Sequence, residues 1–182
     1  IYYSGHGLLD TRGRLFLAAQ NTEPTLLHAT AVSIAAIRDC LSQSRCQRFV
    51  LVLDCCYSGA ATAAFRQAGG MISSDFNQGD PVEGVGEFVM AASTAIQRAA
   101  ETQDDTLSLF TKHLLAALRE SRADTDGDGV IRLDELFEYV RKAMSAEHQQ
   151  EPLHWVSGSA ASFIIGRTPR SRENQVQRFV RD

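Results

Sequence analysis

The segment Gln47–Asp54, Gln-Arg-Phe-Val-Leu-Val-Leu-Asp, narrows the folds open to this chain more than any other. Its apolar run Phe49–Leu53 is unbroken and ends on the polar cluster Asp54-Cys55-Cys56-Tyr57-Ser58-Gly59. A strand with one wet face alternates apolar and polar residues. An unbroken run needs cover on both faces, as in a parallel sheet with helices above and below. Glu87–Ser93 (Glu-Phe-Val-Met-Ala-Ala-Ser) reads the same way. Ile1–Ser4, Arg12–Ala18 and Ala161–Ile165 read as shorter strands.

Helical spacing fills the intervals. Ala31–Ser44 places Val32, Ile34, Ala35, Ile37 and Leu41 on one face, and Leu107–Arg119 does so with Leu107, Phe110, Leu114, Leu115 and Leu118. Ala60–Gln67 is alanine-rich, and Leu133–Met144 is a further helix. Gly69–Gly84 is polar and glycine-rich, the composition of a mobile loop. Strands alternating with helices predict an α/β domain with a mainly parallel central sheet. A length of 182 residues suits one such domain. It is expected over residues 1–167, with the charged stretch 168–182 as a tail or linker. The chain opens on a strand with no upstream neighbour, so the N-terminal strands of the sheet are expected to lie outside it.

The formal charge of −4 and the acidic isoelectric point speak against nucleic acid as the main partner. The longest apolar runs are strand-length and far short of a membrane span. No signal peptide is expected ahead of the first strand. Of the four cysteines, Cys55 and Cys56 are adjacent, which suits reduced thiols in a cytoplasm better than a disulfide framework.

Parallel sheets gather function at the carboxyl ends of their strands. Ser4-Gly5-His6-Gly7 and the cluster from Asp54 to Gly59 both close such strands. A thiolate attacks a carbonyl, and a nearby imidazole can generate it and later protonate the leaving amine. The small-residue turn after Cys56 leaves a nucleophile exposed, and the glycines around His6 let backbone approach a substrate. A lone histidine is more often a loop residue, and a lone cysteine a core residue. Both at strand ends in this local setting read as base and nucleophile.

Tyr3-Ser4-Gly5-His6-Gly7 and Asp54-Cys55-Cys56-Tyr57-Ser58-Gly59 resemble the two signature segments of the caspase/metacaspase superfamily, peptidase family C14, and its bacterial caspase-like branch above all. The similarity takes in Ala92–Gln97, Ser108-Leu109-Phe110-Thr111 and the Asp-Gly-Asp-Gly segment, spanning residues 1–167. It implies a three-layer caspase-like fold and a cysteine endopeptidase acting on protein or peptide substrates, with no cofactor required for the chemistry. It also implies His6 as base, Cys56 rather than Cys55 as nucleophile, and the amides of Gly7 and Cys56 as the oxyanion hole. The usual metacaspase wording has histidine at the place of Tyr57. Asp54 stands where aspartate-cleaving caspases have glutamine; in metacaspase-like relatives this aspartate, helped by the serine matching Ser4, selects Arg or Lys. A buried carboxylate paired with a guanidinium or ammonium is physically consistent with that. The plainer reading has Asp54 capping the following helix.

Asp124-Thr-Asp126-Gly-Asp128-Gly-Val130-Ile-Arg-Leu-Asp-Glu135 fits the EF-hand calcium loop. Carboxylates stand at loop positions 1, 3 and 5, glycine at 6, a backbone carbonyl (Val130) at 7 and glutamate at 12. Without metal, the same residues would make a tight turn between helices. No second loop of this kind is found, and the calcium dependence of some metacaspases uses a different acidic cluster.

Two other functions compete with the endopeptidase: a calcium-sensing, non-catalytic scaffold, and dithiol chemistry at Cys55–Cys56, which ranks last because vicinal disulfides are strained. Fused or associated sensing and signalling domains are the expected company. His28, His113, His148, His154 and Trp155 have no motif context and are assigned surface or packing roles.

Overall fold

A computed structural model describes residues 1–68, 84–92, 107–147 and 151–168. Its strands are β1 (Tyr2–Ser4), β2 (Gly7–Leu9), β3 (Leu15–Ala18), β4 (Ala31–Ser33), β5 (Arg48–Asp54), β6 (Gly86–Ala91), β7 (Val130–Arg132), β8 (Leu153–Gly158) and β9 (Ile164–Arg167). Its helices are α1 (Leu27–Thr30), α2 (Ile34–Ser42), α3 (Gly59–Gln67), α4 (Leu109–Arg119) and α5 (Leu133–Ala146).

The central sheet has the order β1-β5-β6-β8, with the first three strands parallel and β8 antiparallel to β6. The unbroken apolar run of β5 is explained by cover on both faces. Phe49, Leu51 and Leu53 join Ile34, Ala61 and Phe65 in a core under α2 and α3. Val50 and Val52 point the other way, packing with Phe110, Leu114, Phe137 and Val140 of α4 and α5. β6 divides likewise, Val89 to the first core and Phe88 and Met90 to the second. Each such side chain, fully buried, contributes about 1.5–3 kcal/mol of hydrophobic stabilisation. The architecture is α/β with a mostly parallel sheet flanked by helices.

Local chemistry sets the helix starts. Ser33 caps α2 by accepting from the Ala36 N–H at 3.0 Å, and Ser108 caps α4 by accepting from the Thr111 N–H at 3.0 Å. On α5, Leu133, Leu136, Phe137, Val140 and Met144 form one buried stripe.

Several elements differ from the sequence expectation. The helix expected over Ala31–Ser44 begins only at Ile34, because Ala31–Ser33 pairs with β3 in a three-stranded antiparallel sheet β2-β3-β4. The strand expected over Ala161–Ile165 is a 3-10 turn at Ala160–Ser162 followed by β9, which pairs with β7 and not with the central sheet. The fourth strand of the central sheet is instead β8, whose His154 and Ser157 interrupt the apolar pattern that marks β5 and β6. Residues 69–83 of the expected loop, residues 93–97 of the resembling segment and residues 169–182 of the tail lie outside the described residues. Among the described residues, no helix is long and apolar enough to cross a membrane.

Candidate active site

β1 and β5 run parallel with Ser4 opposite Asp54, and the chain leaves each strand toward the same edge. The Gly5 N–H donates to the Asp54 carbonyl at 3.2 Å, holding the two exits together. Two residues beyond Ser4 lies His6, and two beyond Asp54 lies Cys56. The His6 carbonyl accepts from the Ala18 N–H at 3.0 Å and from the Tyr3 hydroxyl at 2.8 Å, so its peptide is pinned while the residue stays exposed.

Gly7 then packs directly on the other exit. A Cβ added there would meet the Cys56 carbonyl oxygen at 2.1 Å and the Cys55 Sγ at 3.2 Å. Only glycine lets the His6 segment lie this close to the Cys56 peptide. After Cys56 the chain turns through Tyr57, which takes a left-handed φ of 60°. A non-glycine residue there costs about 1–2 kcal/mol. The turn closes with the Ala60 N–H on the Tyr57 carbonyl at 2.9 Å and feeds α3. Cys56 is half-buried, whereas Cys55 is 2% exposed and packs in the core with Leu15, Leu17 and Leu53. Burial, then the neighbouring Cys56 and Asp54 charges, push the Cys55 thiol up to about 12. At neutral pH Cys55 is therefore an inert thiol.

Asp54 is 4% exposed, and its Oδ2 collects hydroxyl hydrogen bonds. Thr111 Oγ1 donates at 2.5 Å and Ser4 Oγ at 3.4 Å, and the Ser108 hydroxyl donates to the same oxygen. The helix-capping role considered for Asp54 is not what the structure shows: α3 starts after Ser58 without a side-chain cap. Ser4 and Asp54 are thus brought together. The sequence points to Ser108 and Thr111 only through the family resemblance, and no motif in it points to Tyr2, whose Oη lies 2.5 Å from Thr111 Oγ1. The available signal was serine at a helix N-cap with threonine at the third helical position.

A second cluster lies between α4 and α5. Asp124, Asp126 and Asp128 each offer a carboxylate oxygen within 4.8 Å of the others, an arrangement able to chelate a metal ion. Gly127 and Gly129 take φ values of 72° and 88°, which fold the loop tightly. Val130 opens β7, and the Glu135 carboxylate accepts from the Arg132 N–H at 2.9 Å. Asp124 Oδ2 accepts from the Thr168 hydroxyl at 3.1 Å, while its Oδ1 is buried without a hydrogen-bond partner among the described residues. That orphaned oxygen and the all-oxygen donor set fit a hard divalent cation. Arg132 reaches into the same group, 2.7 Å from Asp128, 3.8 Å from Glu135 and 4.0 Å from Asp126. The Val130 N–H and then Arg132 hold the Asp128 carboxyl below its ordinary range.

The remaining singled-out side chains have packing roles. Trp155 lies against Phe65 at 5.5 Å between ring centroids, and His154 against Phe137 at 3.9 Å, with burial lowering its pKa. His28 meets Phe16 edge-on and His113 pairs with Glu147 at 3.0 Å; His148 lies outside the described residues.

The fold agrees with what the chain resembles among known families. It matches the caspase domain, a peptidase C14 family, over residues 1–163, and it belongs to that family. Comparison with curated proteins gives no match.

Proposed function

We propose that the chain is a cysteine endopeptidase that works through a Cys56–His6 dyad and cuts after Arg or Lys. The observation that carries this reading is the packing of Gly7 on the Cys56 peptide, which holds the two strand-end segments side by side. His6 takes the Cys56 thiol proton, and Sγ attacks the scissile carbonyl. The Gly7 and Cys56 amides receive the developing oxyanion. His6 then gives its proton to the leaving amine, and a thioester remains on Cys56. Water, with its proton taken by His6, releases the acid product and restores the thiol. Asp54, with Ser4 beside it, receives the basic P1 side chain; the depth of Asp54 at the sheet edge supports that assignment, because a buried carboxylate gains most from a cationic partner.

Asp124, Asp126, Asp128, the Val130 carbonyl and Glu135 would hold calcium, which would supply charge neutralisation that fixes the α4–α5 connection. The cluster also favours a second reading, a calcium-sensing module that has the caspase fold but does not cut. A reduced catalytic thiol suits a cytoplasmic location.

A panel of peptides differing only at P1 separates the readings. With calcium and with chelator, kcat/KM is expected to be highest for P1 Arg and Lys. Hydrolysis of P1 Asp peptides alone would overturn the specificity, and no hydrolysis in either condition would leave the calcium module as the function.

A further inference from the structure

The side chains around Asp54 form a directed set of hydroxyls. The Ser108 Oγ accepts the Thr111 N–H at 3.0 Å and donates its one proton to Asp54 Oδ2. The Thr111 hydroxyl gives its one proton to the same oxygen at 2.5 Å. That leaves Tyr2 as the donor in the 2.5 Å contact between Tyr2 Oη and Thr111 Oγ1. Tyr2 therefore backs Thr111, and Thr111 and Ser108 grip one oxygen of a buried carboxylate. Both come from the start of α4, whose Phe110 and Leu114 are fixed in the second core.

We propose that Thr111 and Ser108, with Tyr2 behind Thr111, are positioning residues for P1 recognition. They hold Asp54 by Oδ2, and this sets the carboxylate plane that meets the incoming cation. The inference rests on the reading of Asp54 as the P1 residue. With Oδ2 taken by hydroxyl donors, an incoming guanidinium or ammonium bonds Asp54 through Oδ1, whose direction depends on the rotation of that plane. A carboxylate free to turn loses the advantage of pre-set geometry. The grip thus acts on substrate binding and leaves the chemistry at Cys56 alone.

The test is steady-state kinetics of the full chain on a P1 Arg peptide, with the melting temperature recorded for every variant. Thr111→Val keeps the shape of the side chain and removes the donor. It is expected to raise KM about tenfold, in line with a lost hydrogen bond to a charged group, with kcat nearly unchanged. Thr111→Ser restores the hydroxyl and is expected to restore KM. Tyr2→Phe, at an exposed position, is expected to raise KM about two- to threefold, the effect of one weaker neutral contact. Tyr2→Phe also decides the matter should Thr111→Val fail to fold. Asp54→Asn separates the two levels of the proposal. If Asp54→Asn leaves KM for the Arg peptide unchanged, the P1 assignment itself is wrong. If Asp54→Asn raises KM while folded Thr111→Val and Tyr2→Phe do not, the grip is wrong and the P1 assignment stands. A fall in kcat with KM unmoved in Thr111→Val would make the hydroxyls merely structural and would also overturn the proposal.

Discussion

Gly7 and Cys56 meet backbone to backbone: a Cβ on Gly7 would stand 2.1 Å from the Cys56 carbonyl oxygen. Neither side of that contact is a flexible side-chain end, so an added methyl must push one strand exit away from the other. Gly7→Ala is expected to destabilise the fold by about 1–3 kcal/mol, the cost of overpacking, and to remove peptidase activity. Gly166→Ala is the control, since its Cβ would meet Ile131 Cδ1 at an ordinary 3.5 Å. Melting temperatures and peptide hydrolysis of the two variants check this.

Cys55 should make the fold less stable at high pH. Its thiol is raised from the ordinary value near 9 to about 12, chiefly by burial. Between those values the unfolded chain gives up this proton and the folded chain keeps it. The unfolded state then binds fewer protons, so stability falls as pH rises. The contribution is complete below the ordinary thiol value and lost on the way to the folded one. Urea titrations of wild type and Cys55→Ala across that interval are expected to converge as pH rises. The same burial predicts that iodoacetamide at neutral pH labels Cys56 and spares Cys55, as read by peptide mass spectrometry.

At the acidic loop, Arg132 contacts the oxygens that a divalent cation, bound as proposed, would need. Its guanidinium lies 2.7 Å from Asp128 Oδ2 and pairs with that carboxylate. Titration calorimetry with calcium is expected to show one site, lost in Asp126→Ala. Removing the competitor with Arg132→Gln is expected to tighten binding up to about fivefold, the order of one solvent-exposed ion pair of about 1 kcal/mol. No binding by wild type, or weaker binding by Arg132→Gln, would contradict this account of the loop.

What could be read in the sequence followed from how each residue acts. The β5 run was legible because Phe49–Leu53 needs two covered faces, and both cores supply them. The strand exits with His6 and Cys56 were legible because parallel strands end at one edge. β8 was not, because His154 and Ser157 break its pattern and antiparallel pairing to Met90 and Glu87 defines it as a strand. β4 was hidden because Ala31–Ser33 continues the helical spacing of α2; only pairing with β3 separates them. The Thr111–Asp54 contact joins residues far apart in sequence, and no local pattern announces it. The acidic loop showed its clustered carboxylates in its spacing, while the contacts from Arg132 needed three dimensions.

The proposed dyad is tested most directly by trapping the acyl-enzyme. Wild type, Cys55→Ala, Cys56→Ala and His6→Ala would each be mixed with a P1 Arg ester and quenched in acid, then measured by intact-protein mass spectrometry with peptide mapping. The expected result is one acyl adduct on Cys56 in wild type and Cys55→Ala, and none in Cys56→Ala or His6→Ala. An adduct on Cys55, or one on Cys56 that forms equally fast without His6, would contradict the proposed mechanism.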